Sequence, residues 1–234
     1  MNMKHPSEGE IGISRPFVDQ SISVRSHAPF SREVIEAALK IGSATAHEAA
    51  ARIGALPHSI KPVCAPFRLA GSVFTIRGPA NDNLWLHRAI VAASPGDILV
   101  AHTGGFHEAG YWGEIMSTAA SCAGLGGLVI DGCVRDGALL GAIGFPVFAR
   151  GLSIRGTGKD FDALGSLNEV LLIGDVSISP GDLMIGDQDG LVCIPRTRVP
   201  EVLQASLARE KGEETILARL RAGENTMKIY NLDR

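Results

Sequence analysis

A helical period first becomes clear after Ser31, where Glu33 and the apolar positions Val34, Ile35, Ala38 and Leu39 follow a capping serine. A second helix is predicted over Ala44 to Ile53. Short strands follow around Ile60 to Val63 and Ser72 to Arg77, the latter alternating through Val73, Thr75 and Arg77. Asn83 to Val91 reads as a helix stopped by Pro95-Gly96, and Asp97 to His102 as a strand broken by Gly104-Gly105. A small-residue helix spans Trp112 to Cys122, Leu128 to Asp131 is a very apolar strand, another helix starts at Asp136, and Pro146 to Ala149 is strand.

Strand, helix, strand, helix, strand between residues 97 and 150 implies parallel pairing through crossovers. Later, Gly174 to Val176, Asp182 to Gly186 and Gly190 to Ile194 are short elements between Pro-Gly and Asp-Gly turns, which predict an antiparallel or barrel-like part. A charged amphipathic helix from Val199 to about Leu220 closes the chain. The expectation is a mixed, layered α/β protein. It has an N-terminal arm over residues 1–29, one domain over 30–225 and a polar tail over 226–234, because no Pro/Gly/Ser linker divides the middle.

Charge and cysteine usage narrow the function classes. Twenty-two Lys and Arg against 25 Asp and Glu give a net charge of -3, which offers no general field for nucleic acid or an acidic membrane. No apolar run approaches the roughly 18 residues of a membrane span, and the polar start MNMKHPSEGE lacks a leader's apolar core. Cys64, Cys122, Cys133 and Cys193 stand alone in apolar or small-residue contexts, so reduced thiols in a cytoplasmic protein are expected. No GxGxxG follows a strand, and the glycines at 104–105 and 124–127 lack the Lys-Ser/Thr of a phosphate loop.

The densest chemical signal is Gly127-Leu-Val-Ile-Asp-Gly-Cys-Val-Arg-Asp136. An apolar strand delivers Arg135 and Asp136 to the crevice end of a parallel sheet. The plain alternative is that Asp136 caps the next helix and Arg135 pairs with a surface acid. Glu114, at the first turn of the preceding helix, adds a second carboxylate, and the amides beginning that helix suit an anion. Two such carboxylates fit a water-rich hard cation, magnesium or manganese. Arg135 offers a planar fork for a substrate carboxylate.

Five segments, taken in order, resemble the RraA-like family over roughly residues 35 to 220. They are Asn81-Asp82-Asn83-Leu84, Gly113-Glu114-Ile115, the run Gly127 to Asp136, Pro146-Val-Phe-Ala-Arg-Gly151, and Pro180-Gly-Asp-Leu183 with Gly186-Asp-Gln-Asp-Gly190. The resemblance is greatest to class II pyruvate aldolases acting on 4-hydroxy-4-methyl-2-oxoglutarate and 4-carboxy-4-hydroxy-2-oxoadipate. It implies a three-layer β/β/α, swivelling-domain-like fold in homotrimers or homohexamers, with the site between subunits. It further implies that Asp136 ligates Mg2+ or Mn2+ directly, that Glu114 holds metal-bound water, and that Arg135 grips the pyruvyl end, aided by backbone at Gly113, Ile115 and Met116. A C-terminal acid from the neighbouring chain, matched here to Glu213, completes that site. Regulators of an RNA-degrading enzyme within the family lack the complete metal arrangement, whereas this chain keeps its acidic and basic elements.

The implied reaction cleaves a small 2-oxo di- or tricarboxylate to pyruvate plus pyruvate or oxaloacetate by way of an enolate, with oxaloacetate decarboxylation sharing that enolate. A dedicated oxaloacetate decarboxylase and a non-catalytic protein-binding regulator are the competing readings. His102, His107 and Glu108 have too loose a spacing for zinc and no HExxH occurs, although His107 or Glu108 could line a substrate mouth. Asn81 to Asn83 with His87 fit either helix capping or support of the site. Arg150, Arg155 and Lys159 form a basic loop that either meets a multiply charged substrate or faces solvent.

Overall fold

A computed structural model describes residues 28–233. Its centre is a mixed sheet whose strands β2 (Leu69–Arg77), β3 (Ile98–His102), β4 (Gly127–Asp131) and β6 (Val147–Ala149) run parallel in that spatial order. β1 (Lys61–Pro62) adds antiparallel to β6 at one edge. At the other edge the hairpin β11 (Leu183–Gly186) and β12 (Leu191–Ile194) joins antiparallel to the first half of β2. The crossovers are α3 (Leu84–Ala92), α4 (Glu114–Cys122) and α5 (Gly137–Ile143).

Side-chain alternation divides the core. Phe74, Ile76, Leu99, Ala101, Leu128, Ile130, Val147 and Ala149 face the crossover helices. Their neighbours Val73, Ile98, Val100, Val129 and Phe148 face a second layer made by the hairpin β9 (Leu171–Ile173) and β10 (Val176–Ile178). Met184, Leu191 and Cys193 join that same cluster, so the sheet curls around it. Burial on both faces explains why the central strands read as continuous apolar runs. Burying each such Ile, Leu or Val is worth about 1.5–3 kcal/mol against the unfolded chain.

On the outer side of the β11–β12 hairpin pack α1 (Arg32–Lys40), α2 (Ser43–Ala49) and the first turns of α6 (Val199–Arg221), through Ala38, Ile41, Ala46, Val199, Val202 and Leu203. Ser31 caps α1 as expected, its Oγ accepting from the Val34 amide. The second helix is shorter than its period suggested, because Ala51 and Arg52 both turn left-handed, at φ 63° and 62°. A four-residue helix, α7 (Thr226–Ile229), lies in the segment expected to be a tail. Four short strands escaped the sequence pattern: β5 (Cys133–Val134), β7 (Gly151–Leu152), which pairs with β5, β8 (Ser166–Leu167), which pairs with the end of β2, and β9, since the element expected over Gly174 to Val176 begins as the turn between β9 and β10. The expected arm, residues 1–29, lies outside the described residues except for its last two. No helix among the described residues is long and apolar enough to cross a membrane.

Candidate active site

Three segments meet beyond the carboxyl end of β4. The loop 110–113 runs beside β5, with the Tyr111 amide donating to Cys133 O at 3.1 Å and the Arg135 amide to Trp112 O at 2.8 Å. Buried aromatics anchor that loop. Tyr111 Oη donates to Phe106 O at 2.6 Å and accepts from the Asn81 amide at 2.9 Å. Trp112 Nε1 donates to Ser117 Oγ at 2.6 Å, and the indole stacks on Phe145 with centroids 6.2 Å apart. The pairing sets Gly113-Glu114 against Arg135-Asp136, residues that are far apart in sequence.

Asp136 holds the N-cap position of α5 in a left-handed conformation, φ 61° and ψ 34°, and its side chain caps nothing there. Its Oδ2 instead accepts the Glu114 amide of α4 at 3.1 Å. Arg135 Nε lies 3.7 Å from the same oxygen, with the two side chains 50% and 35% exposed. That is the only ion pair Arg135 makes among the described residues, so the plain alternative of a helix cap and a separate surface acid is not what the chain adopts. Gly113 makes the approach possible. A Cβ there would fall inside van der Waals contact of Asp136 Oδ2 and 3.0 Å from Arg135 Cγ. Gly110 plays a similar part, since its Cβ would press on Ser153 O and lie 3.2 Å from Arg135 Cβ.

Engaging the Glu114 amide leaves Ile115 and Met116 as first-turn donors of α4, whose amides have no intrahelical acceptor. Ile115 projects into solvent at 77% exposure, whereas Met116 is buried. Arg135 separates two cavities. One, about 270 Å³, is lined by Asn83, His87, Gly113, Ile115, Met116 and Lys159 together with Arg135. The other, about 410 Å³, lies between Arg135, Asp136 and the segment Leu152, Ser153, Ile154. That second wall carried no signal in the sequence, since a two-residue strand positions it.

No group of three or more His, Cys, Asp or Glu side chains that could hold a metal occurs among the described residues. Asp136 supplies one carboxylate here and the neighbouring Glu114 is exposed, so few protein oxygens are on offer, which suits a hard cation retaining most of its water rather than a cation fully enclosed by protein ligands. Glu213 lies elsewhere in the chain, on the exposed middle of α6, paired with Arg209 at 3.1 Å. His107 engages the Asp131 carbonyl at 2.9 Å through Nδ1, and His102 Nδ1 accepts the Gly104 amide at 3.2 Å. Glu108 lines a depression with Cys133 and Arg155 that shares Leu152, Ser153 and Ile154 with the cavity at Arg135 and Asp136.

Other motif residues serve the scaffold. Asp131 pairs with Arg150 at 2.6 Å, and Arg150 also donates to Ser59 Oγ at 2.8 Å. Asp182 accepts the Ser179 amide at 2.9 Å and the Arg196 amide at 3.0 Å. Asp187 accepts both the amide and the hydroxyl of Ser43, at 2.8 and 2.6 Å, and so caps α2 from across the fold. Burial pushes its carboxyl up, but these bonds, the Asp189 amide and Arg68 outweigh that and hold it below the ordinary value.

A curled mixed sheet bearing a carboxylate–arginine pair at a glycine-opened helix start defines the class of protein. The chain belongs to the RraA-like family, whose Aldolase/RraA model matches residues 33–193. It is 34% identical over 175 residues to a Halalkalibacterium halodurans protein named "Putative 4-hydroxy-4-methyl-2-oxoglutarate aldolase", covering 74% of this chain and 81% of that one. In structure it is similar to the RNA-processing inhibitor RraA from Thermus thermophilis, with TM-score 0.56, 27% identity and coverage of 60% of this chain and 84% of that one. The fold is also that of Streptomyces coelicolor RraAS2, with TM-score 0.70 and 22% identity, covering 81% and 98% of the two chains.

Proposed function

We propose that the chain is a class II pyruvate aldolase cleaving 4-hydroxy-4-methyl-2-oxoglutarate, 4-carboxy-4-hydroxy-2-oxoadipate or both, with oxaloacetate decarboxylation as an accompanying reaction. The observation that carries this reading is the Asp136 carboxylate, turned from its own helix onto the Glu114 amide with Arg135 beside it. The name of the Halalkalibacterium halodurans relative supports the same chemistry. Asp136 would hold Mg2+ or Mn2+ directly and Glu114 would hold it through water. The cation supplies Lewis-acid stabilisation of negative charge developing on the 2-oxo oxygen.

The residues of the chain do the rest. Arg135 forks the pyruvyl carboxylate and stabilises the developing enolate oxygen, and the Ile115 and Met116 amides complete the anion cradle. Breaking C3–C4 sends the bonding pair into the pyruvate enolate, while the 4-hydroxyl loses its proton as its carbon becomes a carbonyl. Protonation of the enolate at C3 then gives pyruvate. We assign the proton transfer to Glu213 of a neighbouring copy in a homotrimer or homohexamer, because the family resemblance matches it to the C-terminal acid that completes the site and its place on α6 leaves it exposed.

Pyruvate release coupled to lactate dehydrogenase, with and without EDTA, tests the reading. Metal-dependent pyruvate from the aldol substrates is expected. Its absence from those substrates and from oxaloacetate overturns the enzyme assignment and favours a regulator.

A further inference from the structure

Lys159 and Arg155 are the basic side chains of their loop that no acid engages among the described residues. Arg150 is committed to Asp131 and Ser59. The Arg155 guanidinium lies over the Phe106 ring, 5.5 Å from its centroid, and belongs to the neighbouring depression. Lys159 makes no ion pair among the described residues and lines the same cavity as Arg135.

Its backbone is held on both sides. The Gly158 amide donates to Asn81 O at 2.8 Å and the Asn83 amide to Gly158 O at 3.2 Å. The Asp160 amide donates to Asp82 Oδ2 at 2.6 Å, while Asp82 Oδ1 accepts the Leu84 amide at 2.8 Å. Asp82, 7% exposed, therefore ties the lysine's loop to the start of α3. On α3, His87 lines the same cavity. Burial first, and then the Lys159 ammonium, push its imidazole below the ordinary value against the opposing pull of Asp82, which leaves a neutral ring able to donate one N–H.

We infer that Lys159, with His87 beside it, receives the distal carboxylate of the substrate while Arg135 holds the pyruvyl carboxylate, and that Lys159 thereby favours aldol cleavage over decarboxylation. This rests on the aldolase reading of the same site. The chemistry separates the two reactions. In aldol cleavage the distal carboxylate sits beyond the bond that breaks and keeps its charge throughout, so a cation holding it helps binding without opposing the step. In oxaloacetate decarboxylation the distal carboxylate itself gives up its charge: C3–C4 breaks, the electron pair stays on C3 as the enolate, and neutral CO2 leaves. A cation holding that carboxylate stabilises the ground state over the transition state.

The test is steady-state kinetics of the full chain with magnesium, for 4-hydroxy-4-methyl-2-oxoglutarate and oxaloacetate, in wild type, Lys159→Met and Lys159→Arg. Lys159 is exposed, so neither variant disturbs the core. Lys159→Met should raise KM for the aldol substrate and lower the ratio of its kcat/KM to that of oxaloacetate by about tenfold, with Lys159→Arg restoring most of that ratio. A ratio within twofold of wild type in Lys159→Met, or equal losses on both substrates, overturns the assignment of Lys159. A wild-type protein that turns over neither substrate removes the aldolase reading itself, and the role of Lys159 with it.

Discussion

The Asp136 carboxylate accepts the Glu114 amide at 3.1 Å and leaves uncapped the helix that Asp136 begins. An aspartate at an N-cap ordinarily satisfies the first amides of its own helix. Here a left-handed backbone turns the carboxylate across to α4, beside the Arg135 guanidinium. The fold thus gives up a local cap and gains a carboxylate at the mouth of a cavity.

Two variants separate the charge of Asp136 from its shape. Asparagine tolerates the left-handed conformation and can still accept the Glu114 amide, but carries no charge. Asp136→Asn should keep a thermal midpoint close to wild type while the magnesium concentration for half-maximal pyruvate production rises tenfold or more. Asp136→Ala should abolish metal-dependent turnover. Near-wild-type kcat for either variant at ordinary magnesium would show that Asp136 is not the ligand.

Gly113 is predicted to be as demanding as the charged residues. Its extended φ of -159° suits any residue, so its requirement is for space alone. In Gly113→Ala the new methyl would displace Asp136 Oδ2 and crowd the Arg135 stem. A misplacement near 1 Å costs on the order of a hundredfold in rate, so turnover should fall by about that factor with circular dichroism unchanged. Activity within threefold of wild type would mean that the Asp136 position is not critical.

Much of this is legible in the sequence. The order of strands and helices from 97 to 150 gave the parallel core, and Glu114, Arg135 and Asp136 stood out as charges at the ends of apolar elements. β2 is less legible, because its alternation shows only over Ser72 to Arg77 whereas the strand begins at Leu69. Both faces are buried, since the β9–β10 layer covers the second and Thr75 Oγ1 finds the Glu169 carbonyl at 2.6 Å. Two-residue strands such as β5 and β7 hold too little period to register. Residue type alone could not reveal the backbone turn at Asp136. Nor could it sort Arg150, Arg155 and Lys159, whose fates depend on Asp131, Phe106 and Asp82, remote in sequence.

Acid sensitivity should arise from two partly buried histidines. Burial is the largest cause lowering both His87 and His102. Lys159 adds to it at His87, Arg77 and His107 add to it at His102, and Asp82 and Asp131 respectively oppose. Between these lowered values and the unfolded value, about 6.5, the unfolded chain binds more protons than the folded one. Stability therefore rises with pH through that window and falls on acidification. The urea midpoint should drop between pH 7.5 and 5.5, and the drop should be smaller in a His87→Asn, His102→Asn double variant. An identical drop in both proteins would place the acid sensitivity elsewhere.

Arg135→Lys tests whether the guanidinium acts as a fork or only as charge. The substitution keeps one positive charge, and the space left by Gly110 and Gly113 accommodates the lysine stem. What it removes is the planar pair of parallel hydrogen bonds to a carboxylate. Were Arg135 a source of bulk charge, beside Asp136 at 3.7 Å, the variant would be mild. If Arg135 grips the pyruvyl carboxylate and also steadies the enolate oxygen, part of its interaction strengthens in the transition state, so kcat should fall as KM rises. Loss of a charged hydrogen bond is worth about 1.5–3 kcal/mol, or about tenfold to a hundredfold in kcat/KM. Aldol cleavage and oxaloacetate decarboxylation should decline together, since they share the pyruvyl half. That parallel loss distinguishes Arg135 from Lys159, whose replacement should separate the two activities. A variant impaired in aldol cleavage but unchanged in decarboxylation would place Arg135 at the distal carboxylate and reverse the orientation of the substrate in the cavity.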